Sequence, residues 1–195
     1  MIDVVSPFDD RVVAEEIVAN TRLWLERAVI GLNLCPFAKA VHVKRQIRYA
    51  VTAARTAVEL RAELAHELKA LARADPAQIE TTLLIHPRAM TDFTEYNAFL
   101  ADADAVVREL GLEGVLQVAS FHPHYEFADS APDAIDNYTN RSPYPMLHLL
   151  REASIDRAVA AFPDAAVIFK RNIETLRALG REGWRRLLEV DPSDR

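Results

Sequence analysis

Apolar residues between Asp9 and Ile30 recur at helical spacing, at Val13, Ile17, Val18, Leu25, Ala28 and Val29. This predicts an amphipathic helix with Asp9 and Asp10 as caps and Gly31 as its stop. The pattern changes over Val43 to Thr52, whose closing Tyr49-Ala50-Val51-Thr52 has strand character. An Ala/Leu/Glu-rich run from Ala53 to Ala74 follows. In it Val58, Arg61, Leu64, Leu68 and Leu71 share one helical face, and Asp75-Pro76 ends the element. Thr81 to Ile85 reads as a buried strand. Thr91 can cap a helix running to about Leu110, Gly111 and Gly114 bracket a turn, and Val115 to Phe121 reads as another short strand.

The order over residues 43–122 is therefore strand, helix, strand, helix, strand. Helical crossovers of this length favour parallel or split-parallel pairing, with the helices laid against the sheet by the right-handed crossover rule. The expected fold class is α/β, with α+β as the alternative: a small sheet with a βαβαβ core, an N-terminal helix and a helical C-terminal region. That last region is read as helix from Met146 to Val190, broken near Phe162-Pro163 and at Gly180, with Asp164 as a cap and Trp184, Leu187 and Leu188 fastening the last turns. Between the two parts, Ala128 to Pro145 has no period and holds Pro132, Pro143 and Pro145, as expected of a long ordered loop, a feature that is often functional. No linker or repeat divides the 195 residues, so they are read as one domain.

Charge and composition remove several function classes. Asp and Glu outnumber Lys and Arg by 29 to 23, a net charge of −6, and no basic stretch offers the phosphate-neutralising surface that nucleic acid requires. The five glycines are too scattered for a dinucleotide fingerprint or a phosphate-binding loop. A single cysteine excludes an internal disulfide and a multi-cysteine zinc site. Neither a targeting segment nor a membrane-length apolar run is present, so no membrane partner is expected and a cytoplasmic location is.

Candidate chemistry concentrates in Phe121-His122-Pro123-His124-Tyr125-Glu126-Phe127. In an extended chain His122, His124 and Glu126 share one face and the aromatic residues the other. Two imidazoles and a carboxylate so spaced suit a divalent ion such as zinc, manganese or iron, and equally suit acid–base chemistry without metal. They also suit a plain polar junction of strand and loop, and Pro123 marks a strand end. If the sheet is parallel, His86 lies at the same carboxyl edge, where open α/β sheets bind ligands; the alternative is that it caps the following turn. Cys35 precedes Pro36, a natural first helical residue. It is therefore a candidate N-cap thiolate and nucleophile, or else a small buried apolar residue. In the loop, Arg141 can clamp a carboxylate or phosphate, with Asn140, Ser142 and nearby amides assisting, unless the loop satisfies itself. Lys44, Arg45 and Arg48 read as a solvated strand edge.

Three stretches, Ile30-Gly31-Leu32-Asn33-Leu34-Cys35-Pro36-Phe37-Ala38, Ser120 to Phe127, and Asn137-Tyr138-Thr139-Asn140-Arg141-Ser142-Pro143-Tyr144-Pro145, resemble an uncharacterised bacterial family, domain of unknown function 1415. The resemblance implies no established reaction, cofactor or catalytic residue. On the residues alone, the first expectation is metal-assisted hydrolysis of a small anionic substrate, with His122, His124 and Glu126 as ligands or acid–base groups and Arg141 holding the anion. The alternatives are a non-catalytic module that binds a small anion through Arg141 and Ser142, and a cysteine-dependent enzyme using Cys35.

Overall fold

The computed structural model describes residues 11–161 and 165–189. The expected caps Asp9, Asp10 and Asp164, the Phe162-Pro163 break and the Val190 helix end lie outside those residues. Helix α1 (Arg11–Trp24) runs on into a π-helical segment, Leu25–Ile30. There the Gly31 amide reaches back five residues to the Glu26 carbonyl at 2.9 Å. The wider turn brings Gly31 against the preceding backbone, where a β-carbon would lie 2.3 Å from the Arg27 carbonyl oxygen, so this close approach requires glycine.

A short helix α2 (Ala38–Val43) precedes strand β1 (Ile47–Val51), which is shorter at its start than the pattern suggests. Helix α3 (Ala57–Arg73) starts at a capping box in which Thr56 accepts from the Glu59 amide and the Glu59 carboxylate accepts in return. That start sets the phase of the buried face as Leu60, Leu64, Leu68 and Leu71. Val58, expected on this face, is 79% exposed. Strand β2 (Thr81–Ile85) is buried throughout and lies where expected. Helix α4 (Phe93–Glu109) is capped by Asp92, not Thr91, and Gly111 and Gly114 turn the chain with positive φ into β3 (Leu116–Phe121).

The largest correction concerns Met146–Arg151, which forms a strand, β4, and not the start of the C-terminal helices α5 (Glu152–Ala161) and α6 (Ala165–Leu188). Its sequence, Met-Leu-His-Leu-Leu-Arg, is a short apolar run without alternation, and periodicity does not separate a strand covered on both faces from a buried helical turn. Strand β4 sits between β2 and β3, in the order β1-β2-β4-β3, antiparallel to both neighbours; β1 and β2 pair in parallel. Strands β1, β2 and β3 consequently run the same way. The expected βαβαβ path is present in its split form, within a mixed α/β architecture.

Each face of the sheet has its own apolar layer. Helices α3 and α4 cover Ala50, Leu84, Leu147 and Leu149. Helix α1, the π segment and α6 cover Tyr49, Val51, Leu83, Ile85 and Met146. Helix α6 is kinked at Gly180 (φ 67°), as the sequence suggests. The loop after β3 is ordered around a 3-10 turn, Ile135–Thr139, through buried Asn137, which accepts from the Phe127 amide at 3.0 Å and donates to the Ala131 carbonyl at 2.8 Å. Arg48 is no solvated edge residue: it makes a two-point ion pair, 2.8 and 3.1 Å, with buried Glu67, while Lys44 and Arg45 are exposed.

Candidate functional site

Because β1, β2 and β3 share a direction, their carboxyl ends deliver Thr52, His86 and His122 to one edge of the sheet. His86 and His122 are both fully buried there, packed around Tyr96 of α4, whose ring centre lies 5.7 Å from His86 and 5.0 Å from His122. The Tyr96 hydroxyl donates to the Met146 carbonyl at 2.8 Å and accepts the Phe121 amide at 3.1 Å, tying the start of β4 to the end of β3.

The hydrogen bonds of the two imidazoles define their protonation. His86 Nδ1 lies 2.9 Å from the Ala89 carbonyl, which only accepts, so Nδ1 carries the proton and Nε2 is a bare, buried acceptor. His122 donates from Nε2 to the Met90 carbonyl at 3.1 Å and accepts the His124 amide at Nδ1 at 3.0 Å. Together they hold the carbonyls of adjacent residues in a loop where Met90 adopts φ 51°. Burial pushes His86 down to about 4, aided by the neighbouring His122 and opposed by the Ala89 carbonyl. Burial lowers His122 as well, aided by His124 and opposed by the Met90 carbonyl and Asp92. Both imidazoles are neutral structural struts at neutral pH.

The three residues expected to hold a metal do not form a donor set. Both ring nitrogens of His122 are already bonded to backbone, His124 is exposed with its ring 5.9 Å from that of His122, and no group of three or more His, Cys, Asp or Glu capable of holding an ion occurs among the described residues. Glu126 is partly buried and lines no part of the cleft described below. The residues present do not fit a divalent ion.

Cys35 is not an N-cap. Pro36 and Phe37 form a turn, α2 begins only at Ala38, and the partly buried thiol packs against the core beside Leu34. Two of the expected anion-binding residues are likewise occupied. Asn140 extends the β3 edge, its carbonyl accepting the His122 amide at 3.2 Å and its side chain donating to the Ser120 carbonyl at 3.2 Å. Buried Ser142 donates to the Tyr144 carbonyl at 2.7 Å.

Arg141 differs from these. Its guanidinium lies 4.4 Å over the Tyr138 ring and is fixed by Nε to the Tyr125 carbonyl at 3.3 Å and by Nη2 to the Pro132 carbonyl at 2.8 Å. Guanidinium has five N–H donors, so three remain. No carboxylate of the described residues pairs with it. It faces a cleft of about 650 Å³ between α1, the loop and the kinked end of α6. From α1 come Leu23 and Trp24, whose indole N–H donates to the Arg141 carbonyl at 2.9 Å, and Asn20, which donates to the Tyr144 hydroxyl at 3.0 Å. Pro123 and His124 form another wall. From α6 come Arg181, Arg185, Leu188 and Trp184, which meets Tyr138 edge to face at 5.3 Å. Helix α6 is held in place by Arg177 on Asp136, at 2.6 and 3.0 Å, and by Arg181 on Asp133. Among the described residues, no Asp or Glu lines the cleft.

The structure thus brings Arg141, Ser142 and His124 to one cleft, gathers His86 with His122 beneath the surface, and leaves Cys35 and Glu126 outside it. The contributions of Asn20, Trp24, Arg181 and Arg185 are absent from the sequence reading. The signal for the α6 wall was present: Arg177, Arg181, Trp184 and Leu188 recur at helical steps, a basic and aromatic face in an acidic chain.

Fold and site together define a mixed α/β protein with an arginine-bearing cleft beside the carboxyl edge of its sheet. The chain matches the family described as protein of unknown function (DUF1415) over residues 16–186, and it belongs to that family. No curated protein and no solved structure matches it. No helix among the described residues is long and apolar enough to cross a membrane.

Proposed function

We propose that the chain binds a small anion in this cleft, with Arg141 as the counter-charge. One observation carries the reading: a half-buried guanidinium is pre-oriented by two carbonyls and an aromatic ring, while no described carboxylate forms an ion pair with it; Asp133, which acts on it through space, is itself paired with Arg181. Ordering a long side chain costs about 0.5–1.5 kcal/mol on binding, and here that cost is met during folding. A planar fork with free donors is the side-chain geometry best matched to carboxylate or phosphate. His124 and the Tyr144 hydroxyl edge the same space and give a bound anion further polar neighbours.

Both tryptophans of the chain, Trp24 and Trp184, line the cleft, so intrinsic fluorescence reports on its occupancy. Titration with acetate, benzoate and inorganic phosphate is expected to change that emission saturably. Arg141→Ala is expected to weaken binding by about 10-fold to 100-fold, the usual worth of hydrogen bonds to a charged group, and Arg141→Lys to recover part of it. Equal binding by Arg141→Ala and the unaltered chain would overturn the assignment.

A further inference from the structure

We infer that the anion is a monocarboxylate attached to an apolar body of one or two rings. This rests on the Arg141 reading and narrows it. Three arginines among the described residues line the cleft, but Arg181 is paired with Asp133 at 2.8 Å and Arg185 with Glu182 at 2.7 Å. Arg141 also feels Asp133 through space, but that carboxylate is already paired with Arg181, so a single positive charge stays in excess at the cleft and matches a carboxylate. A phosphate monoester carries about −1.5 to −2 at neutral pH and would bring excess negative charge into a partly desolvated site.

The cleft volume of about 650 Å³ belongs to the range of sites for drug-sized molecules and far exceeds the need of a bare ion. Leu23, Trp24, Tyr138, Pro143, Trp184 and Leu188 make most of its surface apolar. Apart from Arg141 and the few groups at its edge, polar groups on that surface have partners within the protein: the Trp24 indole N–H on Arg141, the Ser142 hydroxyl on Tyr144, and the Asn20 amide on the Tyr144 hydroxyl. A sugar or peptide would find few free partners, whereas a hydrocarbon ring loses none by leaving water.

Calorimetric titration of the full chain with acetate, benzoate, 2-naphthoate, benzamide and phenyl phosphate tests the inference. Affinity is expected to rise by about tenfold or more at each step from acetate to benzoate to naphthoate as apolar area is buried. Benzoate is expected to bind more tightly than both benzamide and phenyl phosphate. Leu188→Ala is expected to shrink the advantage of naphthoate while leaving acetate unchanged. A flat series that still depends on Arg141 would overturn the apolar body and leave the anion reading intact. Tighter binding of phenyl phosphate than benzoate would overturn the monocarboxylate. Loss of any dependence on Arg141 would overturn the underlying reading instead.

Discussion

Two neighbouring regions carry the polar residues that stand out in this chain, and they have opposite hydrogen-bond balances. At the carboxyl edge of the sheet, His86, Tyr96 and His122 are buried, and all five of their hydrogen bonds end on backbone carbonyls or amides, with only His86 Nε2 left bare. Farther along the chain, Arg141 is fixed just as firmly but keeps three donors and a charge without an ion-pair partner among the described residues at an open cleft. The first region uses polar chemistry to hold the fold together; the second has chemistry left over for a partner. The number of unspent donors distinguishes them, and residue type does not.

If that contrast is correct, damage to the buried region reads out as stability. The largest expected effect is that of acid. His86 and His148 are both pushed down to about 4 by burial; the latter sits within the sheet with Nε2 2.8 Å from the Thr81 hydroxyl. Above pH 6.5 each imidazole is neutral whether the chain is folded or not. Between 6.5 and about 4 only the unfolded chain takes up the proton, so stability is full above this window and falls as pH falls through it. The loss reaches about 3 kcal/mol for each group. Urea midpoints at pH 7.5, 6 and 5 are expected to decline accordingly, and His86→Gln to remove close to one proton from the slope. A slope that His86→Gln leaves unchanged would show that His86 does not titrate in this way. Next in size is Tyr96→Phe, which leaves the Met146 carbonyl and the Phe121 amide without their shared hydroxyl at a cost of about 2–4 kcal/mol. Chemical denaturation measures it, and a change below 0.5 kcal/mol, roughly the scatter of surface substitutions, would remove the bridging role.

The same contrast explains what could be read in advance. The βαβαβ path was legible because long helices with apolar faces separate its strands, and Thr81 to Ile85 lies where its pattern places it. Strand β4 was not, since Met146 to Arg151 is apolar on both faces and its strand identity depends on β2 and β3 closing over it. Val58 and Leu60 exchanged roles because the Thr56–Glu59 cap sets the phase of α3. At the site, the His-x-His alternation located the edge but left metal binding, acid–base chemistry and a plain polar junction open: His122 turns inward to hold Met90, a contact 32 residues away that no local spacing reveals. Arg141 was recognisable from its loop. Its cleft was not, because Trp24 and Trp184 reach it from opposite ends of the sequence.

Perturbing the cleft should appear in affinity before it appears in stability. For Arg141→Ala, about 1.5–3 kcal/mol of binding is expected to disappear, with the urea midpoint moving less. Trp24→Phe makes a finer cut. It keeps a ring to meet Phe121, now 5.4 Å away edge to face, and removes only the indole N–H that holds the Arg141 carbonyl. That carbonyl lies at the cleft edge, where water replaces the lost donor, so the stability cost is expected to be about 1 kcal/mol or less. The guanidinium keeps its bonds to Tyr125 and Pro132 but loses the anchor on its own backbone. A positioning role therefore predicts a several-fold weaker benzoate affinity with benzamide unaffected, because only the charged ligand depends on where the fork points. Equal losses for both ligands would mean that Trp24 serves the cleft as apolar wall alone.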